Sequence, residues 1–96
     1  MDDLVYYNNL YDYYSWLLTD KQRQYYEDYY FNNLSLAEIA EDNNVSRNAV
    51  HNQIKIVLEK LEFYEQTLKL YEKQLKITKI LDKVDEKIKK EIEEIL

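Results

Sequence analysis

Arg47, Asn48, His51, Asn52 and Lys55 are the residues of this chain whose types and spacing point to a chemistry. At intervals of three and four they fall on one face of a helix, where forked and single donors of this kind reach base edges and phosphate oxygens in a major groove. His51 fits a plain surface position as well as a base or phosphate contact. Other chemistries have less to draw on. His51 is the one histidine and there is no cysteine, so a zinc site lacks further nitrogen or sulfur ligands, and a Ser-His-Asp relay has no supporting motif. The chain has no glycine, which excludes the phosphate-cradling loops of P-loop and dinucleotide folds. Its carboxylates fall on regular helical surfaces. We read no catalytic residues, no cofactor and no metal, and hence not an enzyme.

Those five residues need a helix of their own and a partner to set its angle, and the preceding residues supply both. Ser35 is followed three places on by Glu38, the reciprocal pattern in which each side chain satisfies an unpaired N–H at a helix start. Leu36, Ile39 and Ala40 then share a face, and Ala40 is small enough for a second helix to approach. Asn43 and Asn44 follow, asparagine being the non-glycine residue that best tolerates a left-handed exit. Val45 is placed to plug the corner and Ser46 to cap the second helix, with Ala49, Val50 and Ile54 facing inward. The pattern is a helix-turn-helix. A bare three-helix body also needs such a corner, so its polar outer face is not by itself a reader of nucleic acid.

Composition bounds the rest. A chain of 96 residues without glycine, proline or cysteine forms one domain with no flexible linker and little tight-turn β structure, where about 7% glycine and about 5% proline would be ordinary. The fold class is all-α. No apolar run approaches the roughly 18 residues of a membrane span, and the acidic start at Asp2 and Asp3 is unlike a signal peptide, so no membrane insertion and a cytoplasmic location are expected. The net charge of -6 works against general DNA binding, which rests on cations that neutralise phosphates. Residues 34–60 carry four acids against Arg47, Lys55 and Lys60.

Four helices are expected at about 3–18, 20–31, 36–42 and 47–76. Residues 1–60 form the helix-turn-helix part. Residues 61–96, an extended helix and a C-terminal amphipathic helix, belong to the same domain. Leu4, Tyr7, Leu10, Tyr11, Tyr14, Leu17 and Leu18 stripe the first helix. Thr19 with Gln22 caps the second, which Asn32 and Asn33 end. Nine of the eleven tyrosines precede residue 31, building either a core with a hydrated rim or a partner-binding face, and Trp16 reads as a packing residue. Val50, Ile54, Val57, Leu61, Tyr64, Leu68, Tyr71 and Leu75 keep a heptad-like spacing with no breaker before Thr78, so the long recognition helix should span roughly 45 Å. Ile77, Leu81, Val84, Ile88, Ile92 and Ile95 are out of step with it. That predicts either a short kink near Thr78 to Asp82 or a phase shift, and a new start near Asp82 and Asp85. The apolar stripe folds back on the long helix or, in the reading we favour, serves as a dimerisation arm joining two copies.

The run LLTDKQRQYYEDYYFNNLSLAEIAEDNNVSRNAVHNQIK with the later LEFYEQTL resembles the YlxM family of small Firmicute and mollicute proteins, over roughly Tyr6 to Leu75. The TDKQR opening, the tyrosine-rich second helix, SLAEIA and VSRNAV stand in the family's order. The resemblance implies an all-helical fold with a helix-turn-helix similar to the fourth region of bacterial sigma factors. It also implies an accessory or regulatory role in the signal-recognition-particle pathway, and nucleic-acid contact by Arg47, Asn48, His51, Asn52 and Lys55. The partners expected are a second copy of the chain, signal-recognition-particle protein or RNA, and duplex DNA. In the protein-partner reading, the acidic surface of Asp12, Glu27 and Asp28 meets a basic partner. The alternative is a dimeric DNA-binding transcriptional regulator.

Overall fold

The computed structural model describes residues 3–96 as six α-helices: α1 (Asp3–Tyr14), α2 (Asp20–Tyr30), α3 (Leu36–Asn43), α4 (Arg47–Leu68), α5 (Leu70–Leu81) and α6 (Glu86–Ile95). A 3-10 turn, Ser15–Leu17, follows α1, so the first helix ends four residues short of the expected 18. Arg23 reaches back from α2 to hold that turn, its Nη1 donating to the carbonyls of Ser15 (3.0 Å) and Leu18 (2.7 Å). Trp16 does not pack. It is 68% exposed and its indole N–H donates to the Tyr13 carbonyl at 2.8 Å.

α4 is the spine, and one stripe of its residues serves two cores. Val50 and Ile54 are buried with Tyr25, Ile39 and Ala40, which locks α3 and α2 against the start of α4. Val57 and Leu61 are buried with Leu10, Tyr11, Tyr14, Leu18 and Tyr26, which seats α1 across its middle. The tyrosines therefore do what aliphatic residues do in most small helical cores. Tyr11 and Tyr26 stack at 4.3 Å with rings 5° apart, and their hydroxyls reach polar side chains at the rim: Tyr26 donates to Asn8 at 2.5 Å and Tyr11 to Glu27.

The helix expected over 47–76 is two helices. Lys69 adopts the left-handed conformation (φ 56°, ψ 31°) and the helix breaks there, and Tyr71 of α5 meets Tyr6 and Tyr13 and accepts a hydrogen bond from Asn9 at 3.1 Å. The cause is tertiary. Glu65, buried on α4, accepts from the backbone N–H groups of Tyr71 (3.2 Å) and Glu72 (2.9 Å), and Tyr14 donates to the same carboxylate at 2.5 Å while accepting from the Leu70 N–H at 3.0 Å. These bonds satisfy the donors that a new helix start leaves open, so the break leaves the N–H groups of Leu70, Tyr71 and Glu72 paired. The register changes with it, leaving Leu68 and Leu75 of the expected seam exposed.

The second break runs over Asp82–Asp85, from the end of the expected Thr78–Asp82 kink to the expected new start, where Asp85 caps α6 by accepting from the N–H groups of Lys87 (3.0 Å) and Ile88 (3.1 Å). Leu81 is buried, whereas Ile88 is exposed and Ile95 is 84% exposed. α6 is thus the element least engaged with the body. Among the described residues, no helix is long and apolar enough to cross a membrane.

Candidate nucleic-acid interface

The unit that presents the five polar residues is closed by local hydrogen bonds at every corner. Asn33 is left-handed (φ 58°) where α2 gives way to α3. The Ser35 hydroxyl accepts from the Glu38 N–H and the Glu38 carboxylate from the Ser35 N–H, both at 3.1 Å. That pairing, the backbone bond first, holds the Glu38 carboxyl below its ordinary range. At the other end Asn44 is left-handed (φ 58°, ψ 41°) and the Val45 N–H closes on the Ala40 carbonyl at 3.0 Å, the wrap that ends a helix sharply. Asn43 adds a bond from its amide to the Ile39 carbonyl at 2.7 Å and accepts from Lys21, whose ammonium also lies 5.5 Å from the Tyr25 ring centre. The turn is thereby tied to α2. The Ser46 hydroxyl accepts from the Ala49 N–H at 3.1 Å and opens α4. One detail differs from expectation: Val45 is 42% exposed, while Ile39 and Ala40 are buried.

On α4, Arg47, Asn48, His51, Asn52 and Lys55 are all exposed. Arg47, His51 and Lys55 form one line at successive turns, and Asn48 and Asn52 the line beside it. None of these side chains has a hydrogen-bond or ion-pair partner among the described residues, so their donors face solvent. Exposed acids lie near the two permanent cations in the chain. Glu41 and Asp42 are exposed on α3, and Glu59 is exposed one turn beyond Lys55. Lys60, counted with the segment's positive charge, is half-buried and directed to Gln22 at 3.4 Å, away from this line. Among the described residues, no cluster of His, Asp or Glu is placed to hold a metal ion.

The structure adds to the region two of the tyrosines that the sequence left open between a core with a hydrated rim and a partner-binding face, Tyr29 and Tyr30. With Leu36, Ile54 and Leu58 they line a cavity of about 210 Å³ whose remaining lining is His51 and Lys55. The signal available was only that this aromatic pair closes α2; nothing in the spacing places it beside α4. Of the acids expected to meet a basic partner, Asp12 is exposed, while Glu27 accepts the Tyr11 hydroxyl and Asp28 the Asn32 amide at 3.1 Å.

A family model described as "Putative helix-turn-helix protein, YlxM / p13 like" (UPF0122) matches residues 1–96, reaching beyond Leu75 through the last helix. The chain is 44% identical over 85 residues to a UPF0122 protein of Caldanaerobacter subterraneus subsp. tengcongensis, covering 88% of this chain and 73% of the relative. It is 41% identical over 97 residues to one of Fusobacterium nucleatum subsp. nucleatum, covering 100% and 94%. A Malacoplasma penetrans relative is 47% identical over 91 residues, covering 85% of each.

Proposed function

This chain belongs to the UPF0122 family of YlxM / p13-like helix-turn-helix proteins, and from that footing we propose a non-enzymatic accessory or regulatory protein of the signal-recognition-particle pathway, which meets nucleic acid with the start of α4. The observation that carries the nucleic-acid contact is the set of five exposed, unpartnered donors on that helix. In a protein of net charge -6, exposed cations that find no internal acid are free to meet an outside anion. The pathway assignment follows from the family resemblance, and a targeting-particle RNA is the first ligand to try. Fluorescence anisotropy of the full chain against that RNA and against duplex DNA, across a salt series, tests it. Binding weakens with salt and falls in Arg47→Ala; no binding to either nucleic acid at low salt sinks the reading.

The second reading is a dimeric DNA-binding transcriptional regulator. One observation favours it: Ile80, Ile88 and Ile95 are exposed along the C-terminal arm, an apolar edge that a second copy would cover. Two α4 starts spaced about 34 Å apart, or a multiple, would then read two half-sites, and preference for duplex DNA over RNA would rank this reading first.

A further inference from the structure

The cavity beside α4 has a lining that neither a protein core nor a phosphate contact requires. Tyr29 and Tyr30 meet at right angles, ring centres 5.0 Å apart and planes at 85°, so they form a corner of one ring face and one ring edge. Tyr30 is held in place from behind by Tyr26 at 4.6 Å, and Tyr29 is 37% exposed, open to a visitor. Leu36, Ile54 and Leu58 make the remaining walls apolar, while His51 and Lys55 stand at its polar side. At about 210 Å³ the space is smaller than the roughly 300–1,000 Å³ of a drug-sized site, which suits one planar ring.

We propose that this cavity takes a single unstacked nucleobase, stacked against the Tyr29–Tyr30 corner, with Lys55 and His51 on its phosphate. The inference rests on the reading that the start of α4 meets nucleic acid, and it names the feature preferred there: a bulged, looped or single-stranded nucleotide rather than continuous duplex. Unpaired nucleotides splay out their bases, and an aromatic wall accepts any base face. The cations complete the match. The Arg47, His51 and Lys55 line runs along α4 to the cavity, so a backbone following those charges would bring a base to the tyrosines.

Two measurements on the full chain separate this inference from the one beneath it. First, uridine and adenosine 5′-monophosphate are titrated while backbone amide resonances of Tyr29, Tyr30, His51 and Lys55 are followed, with inorganic phosphate as the control. Both nucleotides should move the tyrosine signals and phosphate should not; no response, or an equal response to phosphate, overturns the base site whatever duplexes do. Second, anisotropy compares a perfect duplex with one carrying a single unpaired nucleotide. The interrupted duplex should bind about tenfold tighter, an advantage lost in Tyr29→Ala and kept in Tyr29→Phe, both variants retaining the parent melting temperature. Equal affinity for the two duplexes overturns the base site and leaves the α4 reading standing. Nucleotide-induced shifts at the tyrosines with no binding of either duplex or of the targeting-particle RNA support the base site and overturn the α4 reading alone.

Discussion

Glu65 caps a helix that begins five residues after it. Lys69, the residue at the cap position of α5, offers no side-chain bond, and the N–H groups of Tyr71 and Glu72 find their acceptors on the Glu65 carboxylate. Removing that carboxylate orphans both donors and the Tyr14 hydroxyl together, so Glu65→Ala should cost about 3 kcal/mol in urea unfolding and Tyr14→Phe only about 1. Equal, small losses for both would show that α5 starts without them. The same cluster sets an alkaline limit. Burial first, then the bond to the Glu65 carboxylate, pushes Tyr14 up to about 12, and burial raises Tyr11 and Tyr26 as well. The folded state thus holds protons that the unfolded chain releases near its ordinary value of 10.0. The stability these groups provide is complete below that value and is lost as pH rises through the folded one. The urea midpoint should hold steady up to about pH 10 and fall from there to about 12, less steeply in Tyr14→Phe. A flat profile across that interval would contradict the assignment.

Among the elements, the helix starts were legible and one interruption was not. Thr19 with Gln22, Ser35 with Glu38, and Ser46 all cap helices, because a cap needs only its own three or four residues. The two left-handed asparagines, Asn33 and Asn44, were legible for the same reason. Lys69 was not, since lysine has no preference for that conformation and the Glu65 carboxylate that caps the new helix acts there together with the hydroxyl of Tyr14, more than fifty residues away. Its conformation costs a lysine about 1–2 kcal/mol, whereas glycine escapes that cost but loses more chain entropy on folding. Lys69→Gly should therefore stabilise the protein by about 0.5–1 kcal/mol. Asn44→Gly should gain less, because asparagine visits this region more readily. Urea midpoints of the two variants check the order; destabilisation by Lys69→Gly would mean the side chain itself holds the break.

The whole molecule spans 54 × 25 × 24 Å, with the α4 start in the helix-turn-helix part and the exposed isoleucines on the C-terminal arm. If the arm joins two copies, sedimentation equilibrium should give a dimer that Ile88→Lys and Ile95→Lys together convert to a monomer; a wild-type monomer would remove the arm from the interface. Salt carries the same information for nucleic acid. Arg47 and Lys55 predict a log–log slope against duplex DNA of about -2 for one copy and about -4 for two, with Arg47→Ala lowering it by about 1 per copy. A slope near zero would mean these cations meet no phosphate. By itself the sequence determined the all-α class, the capped helix-turn-helix corner and the outward position of Arg47, Asn48, His51, Asn52 and Lys55, because caps and apolar spacing act within a few residues. Only the tertiary structure decided where the long helix breaks, how α1 lies across α4, and that Tyr29 and Tyr30 stand beside His51 and Lys55. Those outcomes depend on groups far apart in the chain meeting in space, and no local spacing records such a meeting.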